Sequence, residues 1–235
     1  MPKIQLNYVN DLLNDHIDAK VQEDRGEQRG YMGLSQVGTI YTCPRKAWYT
    51  MHGYNGKPFP GRILRLFRTG EDIEFNVVTD LINAGFPVTD AQKTVVATQD
   101  EYSFTGHIDG IVHGLDQIDI GKKECLFECK SANEKSFAKL QKLQSYEAWN
   151  ETYKAQIHVY AFLLGLDRIL VCVENKNTSE RYWERLNTDP EYAEKTLALA
   201  FEIYRNPRPE RVCANPADYR AKICDHCEQC FEEES

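Results

Sequence analysis

No stretch of this 235-residue sequence is apolar for long enough to cross a bilayer, which takes about 20 consecutive residues. The N-terminal MPKIQLNYVNDLLNDH has neither the basic n-region nor the apolar h-region of a signal peptide. Internal repeats and low-complexity linkers are missing too. These absences predict a cytoplasmic protein without a membrane partner, and the length suits one domain that buries roughly 70–75% of its unfolded surface. The net charge of −8 argues against indiscriminate nucleic-acid binding. That charge is unevenly spread. Between Cys43 and Arg68 there is no acidic residue, while six basic ones occur (Arg45, Lys46, Lys57, Arg62, Arg65, Arg68). Such a run is most often a solvated face, and a local basic groove is the alternative.

What is present reads as an alternation of helices and strands. Residues 1–34 are polar and irregular, a helix and a loop, with no role to assign. Residues 35–68 form a basic, aromatic-rich entry segment, in which SQVGTIYTCPRKAWYTM (35–51) predicts a short helix and GYNGKPFPGR a Gly/Pro-dense loop. TGEDIEFNVVTDLINAG predicts a helix capped by Thr69 and stopped by Gly85. KTVVAT, EYSFTGHIDGIV and KECLFECKS predict three successive strands. NETYKAQIHVYAFLLG predicts a helix stopped by Gly165. RILVCVEN and ERYWERL predict two more strands, and DPEYAEKTLALAFEIYRNP a last helix with Asp189 as N-cap. The order predicts an α/β core with a mixed sheet over 69–205, followed by a cysteine-rich segment over 206–235.

Chemistry concentrates in LFECKSAN. On a strand, side chains alternate, so Phe127 and Cys129 face the core while Glu128 and Lys130 share the opposite face. On the preceding strand GHIDG offers Asp109, flanked by Gly106 and Gly110. Two carboxylates on neighbouring strands suit a hard divalent cation, and a Lys beside it can orient or deprotonate a water for attack on a phosphodiester. E-x-K alone is weak and is usually a surface ion pair. It gains weight from Glu74 on the preceding helix, with Glu71 as fallback one turn away, and from Gln156 and Tyr160, an i,i+4 pair on the following helix. The ordinary reading of that pair is an amphipathic helix with Tyr160 half-buried.

In succession, GHIDG, ECK and QIHVY resemble the G-x-x-D, E-x-K and Q-x-x-x-Y motifs of the PD-(D/E)XK nuclease superfamily, in its RecB-like branch, over roughly residues 35–230. The resemblance implies a restriction-endonuclease-like αβββαβ core with a central mixed sheet. It implies Mg²⁺ or Mn²⁺ held by Glu74, Asp109, Glu128 and the Cys129 carbonyl, with Asp109, Glu128 and Lys130 catalytic. Gln156 and Tyr160 would position DNA. The Pro-Asp pair is absent, and the branch's usual His, counted from Gly70, is here Glu74, as in λ-exonuclease-like enzymes. The implied activity is a DNA exonuclease acting on single strands or ends, in recombination, repair or phage DNA metabolism. A recombination partner or homo-oligomer goes with it. The alternatives are a nuclease subunit of a larger complex such as CRISPR spacer processing, a non-catalytic DNA-binding module, and a redox protein.

The eight cysteines divide into two kinds. Cys125, Cys129 and Cys172 sit in apolar runs and read as buried thiols. Cys224, Cys227 and Cys230 form a C-x₂-C-x₂-C run, a metal signal that needs a fourth ligand. Proximity favours Cys213 and structural zinc, in which His226 is a possible substitute ligand; otherwise Asp225 and His226 face solvent. The resemblance, to AddB-type and CRISPR-adaptation nucleases, favours Cys43 and a [4Fe–4S] cluster stapling the N-terminal segment to the C-terminus. That staple would hold Arg45 and Lys46 beside DNA phosphates, and Trp48, Tyr49, Tyr54 and Phe59 beside unpaired bases. Packing on the core is at least as good a reading for each of these aromatics.

Overall fold

The computed structural model describes residues 6–25, 31–118, 121 and 124–232. Of the predicted loop EDRGEQRG (23–30), residues 23–25 belong to a helix and 26–30 lie outside the described residues, as does the chain end at 233–235. The chain opens with helix α1 (Leu6–Arg25), followed by the short helices α2 (Thr39–Thr42) and α3 (Pro44–Met51) and the long helix α4 (Gly61–Asn83). Strands β1 (Val88–Thr89), β2 (Thr94–Gln99), β3 (Tyr102–His107), β4 (Gly110–Val112) and β5 (Cys125–Ala132) come next. Helices α5 (Glu134–Leu143), α6 (Tyr146–Trp149) and α7 (Glu151–Leu164) lead to β6 (Arg168–Asn175) and β7 (Arg181–Asn187). Helix α8 (Pro190–Arg205) and the short α9 (Tyr219–Lys222) and α10 (Cys227–Glu232) complete the chain.

The predicted mixed sheet is present, in the order β1-β4-β5-β6-β7, and only β5 and β6 run parallel. The connection between those two passes through α5, α6 and α7, as a parallel crossover requires. Strand β5 is covered on both faces. Cys125, Phe127 and Cys129 pack with Ile73 and Val77 of α4, while Leu126 packs with Ile157 and Tyr160 of α7. The alternation read in FECK is therefore right, but the Glu128 face lies under a helix. Helix α7 is buried from Ala155 to Ala161. It lies between the sheet and α8, and Tyr160 is fully rather than half buried.

Two expectations are corrected. The helix predicted from Thr69 begins at Gly61, because Ile63, Leu64 and Phe67 already carry its apolar period. Thr69 does not cap it; its hydroxyl donates to the Arg65 carbonyl 3.1 Å away inside the helix. Helix α1 lies across this extension, joined by an Arg65–Asp18 ion pair and by Gln22 to the Phe59 carbonyl at 2.8 Å. The strand predicted over EYSFTGHIDGIV is broken at Ile108–Asp109. Its first half pairs only with β2 in a separate two-stranded ribbon, while its second half joins the main sheet. Asp109 stands at this break.

Caps account for the helix boundaries that sequence did locate. Asn150 Oδ1 accepts from the Thr152 and Tyr153 amides at 2.9 and 3.3 Å, and Gly165 closes α7 at φ 68°. Asp189 Oδ1 accepts from the Tyr192 amide at 2.9 Å to start α8. No helix among the described residues is long and apolar enough to cross a membrane.

Candidate active site

Strand β5 brings Glu128 and Lys130 onto one face, and Lys130 Nζ donates to Glu128 Oε1. Helix α7 lowers Gln156 onto the same oxygen, its Nε2 donating at 2.8 Å. Glu128 Oε2, equally buried, has no hydrogen-bond partner among the described residues. At the break between β3 and β4, Asp109 Oδ2 accepts from the Cys129 amide at 2.7 Å, which fixes the second carboxylate beside β5. The third carboxylate comes from α4, where Glu74 Oε1 accepts from Gln92 Nε2 at 2.9 Å.

These acids repel one another's charge. Burial, and then the Asp109 charge, push Glu128 up to about 8 and Glu74 up to about 7. Burial also raises Asp109, against the pull of Lys130 and of the Cys129 amide. Burial works against the Lys130 ammonium, yet Glu128 and Asp109 outweigh it and hold that group well above the usual lysine value. Lys130 is thus a cationic donor at neutral pH. It can orient a water or a phosphate oxygen, but in this arrangement it does not take a proton, which narrows the role expected of it.

Hard oxygen donors, two carboxylates raised to about 7 and 8, and an unpartnered buried oxygen on Glu128 suit a divalent cation. As they stand, no group of three or more His, Cys, Asp or Glu side chains among the described residues is set to hold a metal ion. Lys130 and the Cys129 amide each occupy one carboxylate oxygen, Oε1 of Glu128 and Oδ2 of Asp109. The Cys129 thiol is turned away into the α4-side core, where hydrogen bonding to Cys172 and burial raise it, so only the Cys129 backbone faces the site.

Gln156 and Tyr160 are only 3% and 0% exposed. Their expected contact with DNA is corrected: Gln156 braces Glu128, and Tyr160 packs over Gly106. A Cβ at Gly106 would lie 2.3 Å from Tyr160 Oη, so the glycine of GHID is needed for this close approach. Sequence reasoning missed three residues. Gln92 reaches Glu74 from a left-handed turn at φ 58°. The Tyr153 ring lies under Lys130 Nζ, 5.3 Å from centroid to nitrogen. Tyr146 is fully buried within range of the Glu128, Lys130 and Asp109 charges. Nothing in the sequence pairs the two tyrosines, because they sit on separate helices.

The fold and these distances can be set beside known proteins. No family model matches this sequence, and no curated protein matches it. Solved structures do resemble its fold. An alkaline exonuclease from Laribacter hongkongensis, LHK-Exo, superposes with a TM-score of 0.50 at 13% identity, over 81% of this chain and 91% of the other. The fold is shared with an exonuclease. The structure of LHK-Exo in complex with dAMP gives the same TM-score of 0.50, at 12% identity and the same coverage. The protein SSO0001 superposes with a TM-score of 0.53 at 14% identity, over 93% of this chain and 96% of the other.

The second constellation lies apart from the carboxylates. Cys43, Cys213, Cys224, Cys227 and Cys230 all line one small cavity, with His226. Both candidates for a fourth thiol are there, so the cavity does not choose between Cys43 and Cys213. Five thiols and an imidazole suit a thiophilic centre by donor type, though among the described residues they are not closed around a metal position. Hydrogen bonds already join the two chain segments: Lys57 amide to the Asp225 carbonyl at 2.8 Å, Tyr49 Oη to the Gln229 carbonyl at 3.2 Å, and Gln229 Nε2 to the Asn55 carbonyl at 2.7 Å.

Several expectations for this region are corrected. His226 does not face solvent; it is 3% exposed, stacked on Tyr49 with Nε2 3.2 Å from Thr50 Oγ1. Asp225 is tied to Lys46 at 2.6 Å, so the charge Lys46 was to offer phosphates is already paired. Arg45 is buried at the cysteine cavity. Tyr49 is in the core, and Trp48 stacks on His52 and donates to the Asn206 carbonyl at 3.1 Å. Tyr54 keeps an exposed face, and Phe59 packs edge-on against Phe67.

Proposed function

We propose that this protein is a metal-dependent deoxyribonuclease, an exonuclease that hydrolyses phosphodiester bonds in single-stranded DNA or at DNA ends. The observation that carries this reading is the convergence of Glu74, Asp109 and Glu128 from three separate elements onto Lys130, with Glu128 Oε2 buried and unpartnered. The likeness of fold to an alkaline exonuclease supports it, and the dAMP held by that protein supports a deoxyribonucleotide as ligand here.

Mg²⁺ or Mn²⁺ held by Asp109, Glu128 and the Cys129 carbonyl, with Glu74 beside them, would supply Lewis acidity and a water of lowered pKa. The chain's own groups do the rest. Gln156 and the Cys129 amide fix the two strand carboxylates, and Gln92 fixes Glu74. Lys130 presents an ammonium to the charge that develops on the phosphate oxygens. For the cysteine cavity we favour a [4Fe–4S] cluster over structural zinc, supported by the gathering of Cys43 with Cys224, Cys227 and Cys230 around one cavity, the ligand set that the family resemblance implies. Its role is structural: metal binding would add to the hydrogen bonds that already join the 43–57 and 225–230 segments.

The test is degradation of end-labelled single- and double-stranded DNA in Mg²⁺ or Mn²⁺ beside Lys130→Ala. Loss of at least 100-fold in the variant is expected, and the product ladder gives polarity. Equal activity in both would sink the reading. Inertness of both, with the cysteine centre intact, leaves a non-catalytic DNA-binding module or a nuclease that needs a partner.

A second reading has an observation behind it. Val9, Leu12, Leu13 and Ile17 leave an exposed apolar stripe on α1, which favours a nuclease that works inside a larger complex, CRISPR spacer processing being one such setting. Cleavage only after a partner is added would select it.

A further inference from the structure

The candidate site contains a polar atom that no part of the architecture uses. Tyr146 is fully buried, and its hydroxyl has no hydrogen-bond partner among the described residues. The surroundings explain its place but not its chemistry. Its amide donates to Glu184 Oε2 at 2.7 Å, and its ring stacks on Tyr153 at 6.3 Å and leans on Trp149 at 5.8 Å. A phenylalanine would make all of these contacts. The hydroxyl is the unexplained part, since buried polar groups are rarely left unpaired without a use.

Its neighbour is Lys130. The ammonium of Lys130 sits over the Tyr153 ring, against which Tyr146 is stacked. The hydroxyl and the ammonium act on each other electrostatically, alongside Glu128 and Asp109. As described, Lys130 Nζ spends a hydrogen bond on Glu128 Oε1. A divalent cation held by Glu128 would repel the ammonium and weaken that hydrogen bond. Lys130 must then find another acceptor or swing away. An ammonium has three donors and needs fixed acceptors to stay in place, and an aromatic face holds it only in part.

We propose that Tyr146 is a positioning residue: its hydroxyl oxygen accepts from Lys130 Nζ when Glu128 binds a cation, and with the Tyr153 ring it keeps the ammonium aimed at the scissile phosphate. This rests on the reading of the site as a nuclease centre. It adds a device that the motif residues do not contain, set on a short helix between β5 and α7.

The experiment uses the full chain and Tyr146→Phe, which keeps the ring and removes only the hydroxyl. Its urea midpoint is expected to equal or exceed that of wild type, because no hydrogen-bond partner is lost. DNA cleavage at saturating substrate is expected to fall about tenfold with KM unchanged. Marked destabilisation would overturn the proposal, since the hydroxyl would then be structural. Unchanged cleavage beside an active wild type would overturn it as well.

A readout independent of activity separates this idea from the nuclease reading itself. The Lys130 ε-methylene NMR signals are assigned by their loss in Lys130→Ala. With Mg²⁺ added to saturation, they are expected to stay sharp and ring-shifted in wild type and to broaden or move toward the free-lysine position in Tyr146→Phe. Identical Lys130 signals in the two proteins would overturn the proposal whether or not the wild type cuts DNA.

Discussion

Removing the negative charges of Glu74 and Glu128 should change how stability depends on pH. Glu128 is raised to about 8 and Glu74 to about 7, each first by burial and then by Asp109. A folded state that holds these protons more tightly than the unfolded chain loses stability as pH climbs from the unfolded value near 4.5 through 7 to 8. At about 1.4 kcal/mol per pH decade, full ionisation of Glu128 costs at most about 5 kcal/mol. Glu74 touches solvent and is discounted to about 1 kcal/mol. Local relaxation and water entry reduce the sum, so about 3 kcal/mol is the expected loss between pH 5 and 8.5. Lys130 does not add to this slope. Its ordinary value is 10.5 and the fold raises it, so it is an ammonium in both states across the window. The assay is urea unfolding in chelator at pH 5, 6.5 and 8.5, for wild type and for Glu74→Gln/Glu128→Gln. Both glutamines can still accept the hydrogen bonds of Gln92, Gln156 and Lys130. Wild type should lose about 3 kcal/mol more than the double variant, and Mn²⁺ at pH 8.5 should restore most of that difference in wild type alone. Parallel pH profiles would refute the account of a charge-strained carboxylate site.

Other expectations follow from single contacts. Gly106→Ala forces a Cβ to within 2.3 Å of Tyr160 Oη and should cost about 1–3 kcal/mol in chemical denaturation. Gln156→Leu removes a donor from Glu128 Oε1; it should lower cleavage rate about tenfold while leaving DNA affinity in Ca²⁺ unchanged, because the side chain is buried and not at a DNA surface. Metal analysis of Cys43→Ser and Cys213→Ser should show loss of the bound centre in one and near-normal content in the other, and absorbance near 400 nm separates iron–sulfur from zinc. His158→Leu should destabilise by about 2–3 kcal/mol, since His158 Nδ1 accepts from the Asp189 amide at 3.0 Å and its Nε2 meets Glu147 at 2.7 Å; hydrogen exchange at the start of α8 would report it.

Much of this protein is set by local sequence. Alternation fixed Glu128 and Lys130 on one face of β5, and caps at Asn150, Gly165 and Asp189 bounded α7 and α8, because these signals act within a few residues. The order of α4, the core strands, α7 and α8 was legible for the same reason, whereas β1 and the helices α5 and α6 were not assigned. Tertiary structure decided what lies above each face. Helix α7 buried Gln156 and Tyr160, making the first a brace for Glu128 and packing the second over Gly106, which no amphipathic pattern foretells when a helix is covered on all sides. The break at Asp109 arose because its two flanking half-strands pair with different sheets. Pairing partners are chosen by packing, not by the strand's own residues. Likewise the run 224–230 marked a cysteine centre, but only folding could bring Cys43 and Cys213 to the same cavity and bury Arg45 and His226 beside them.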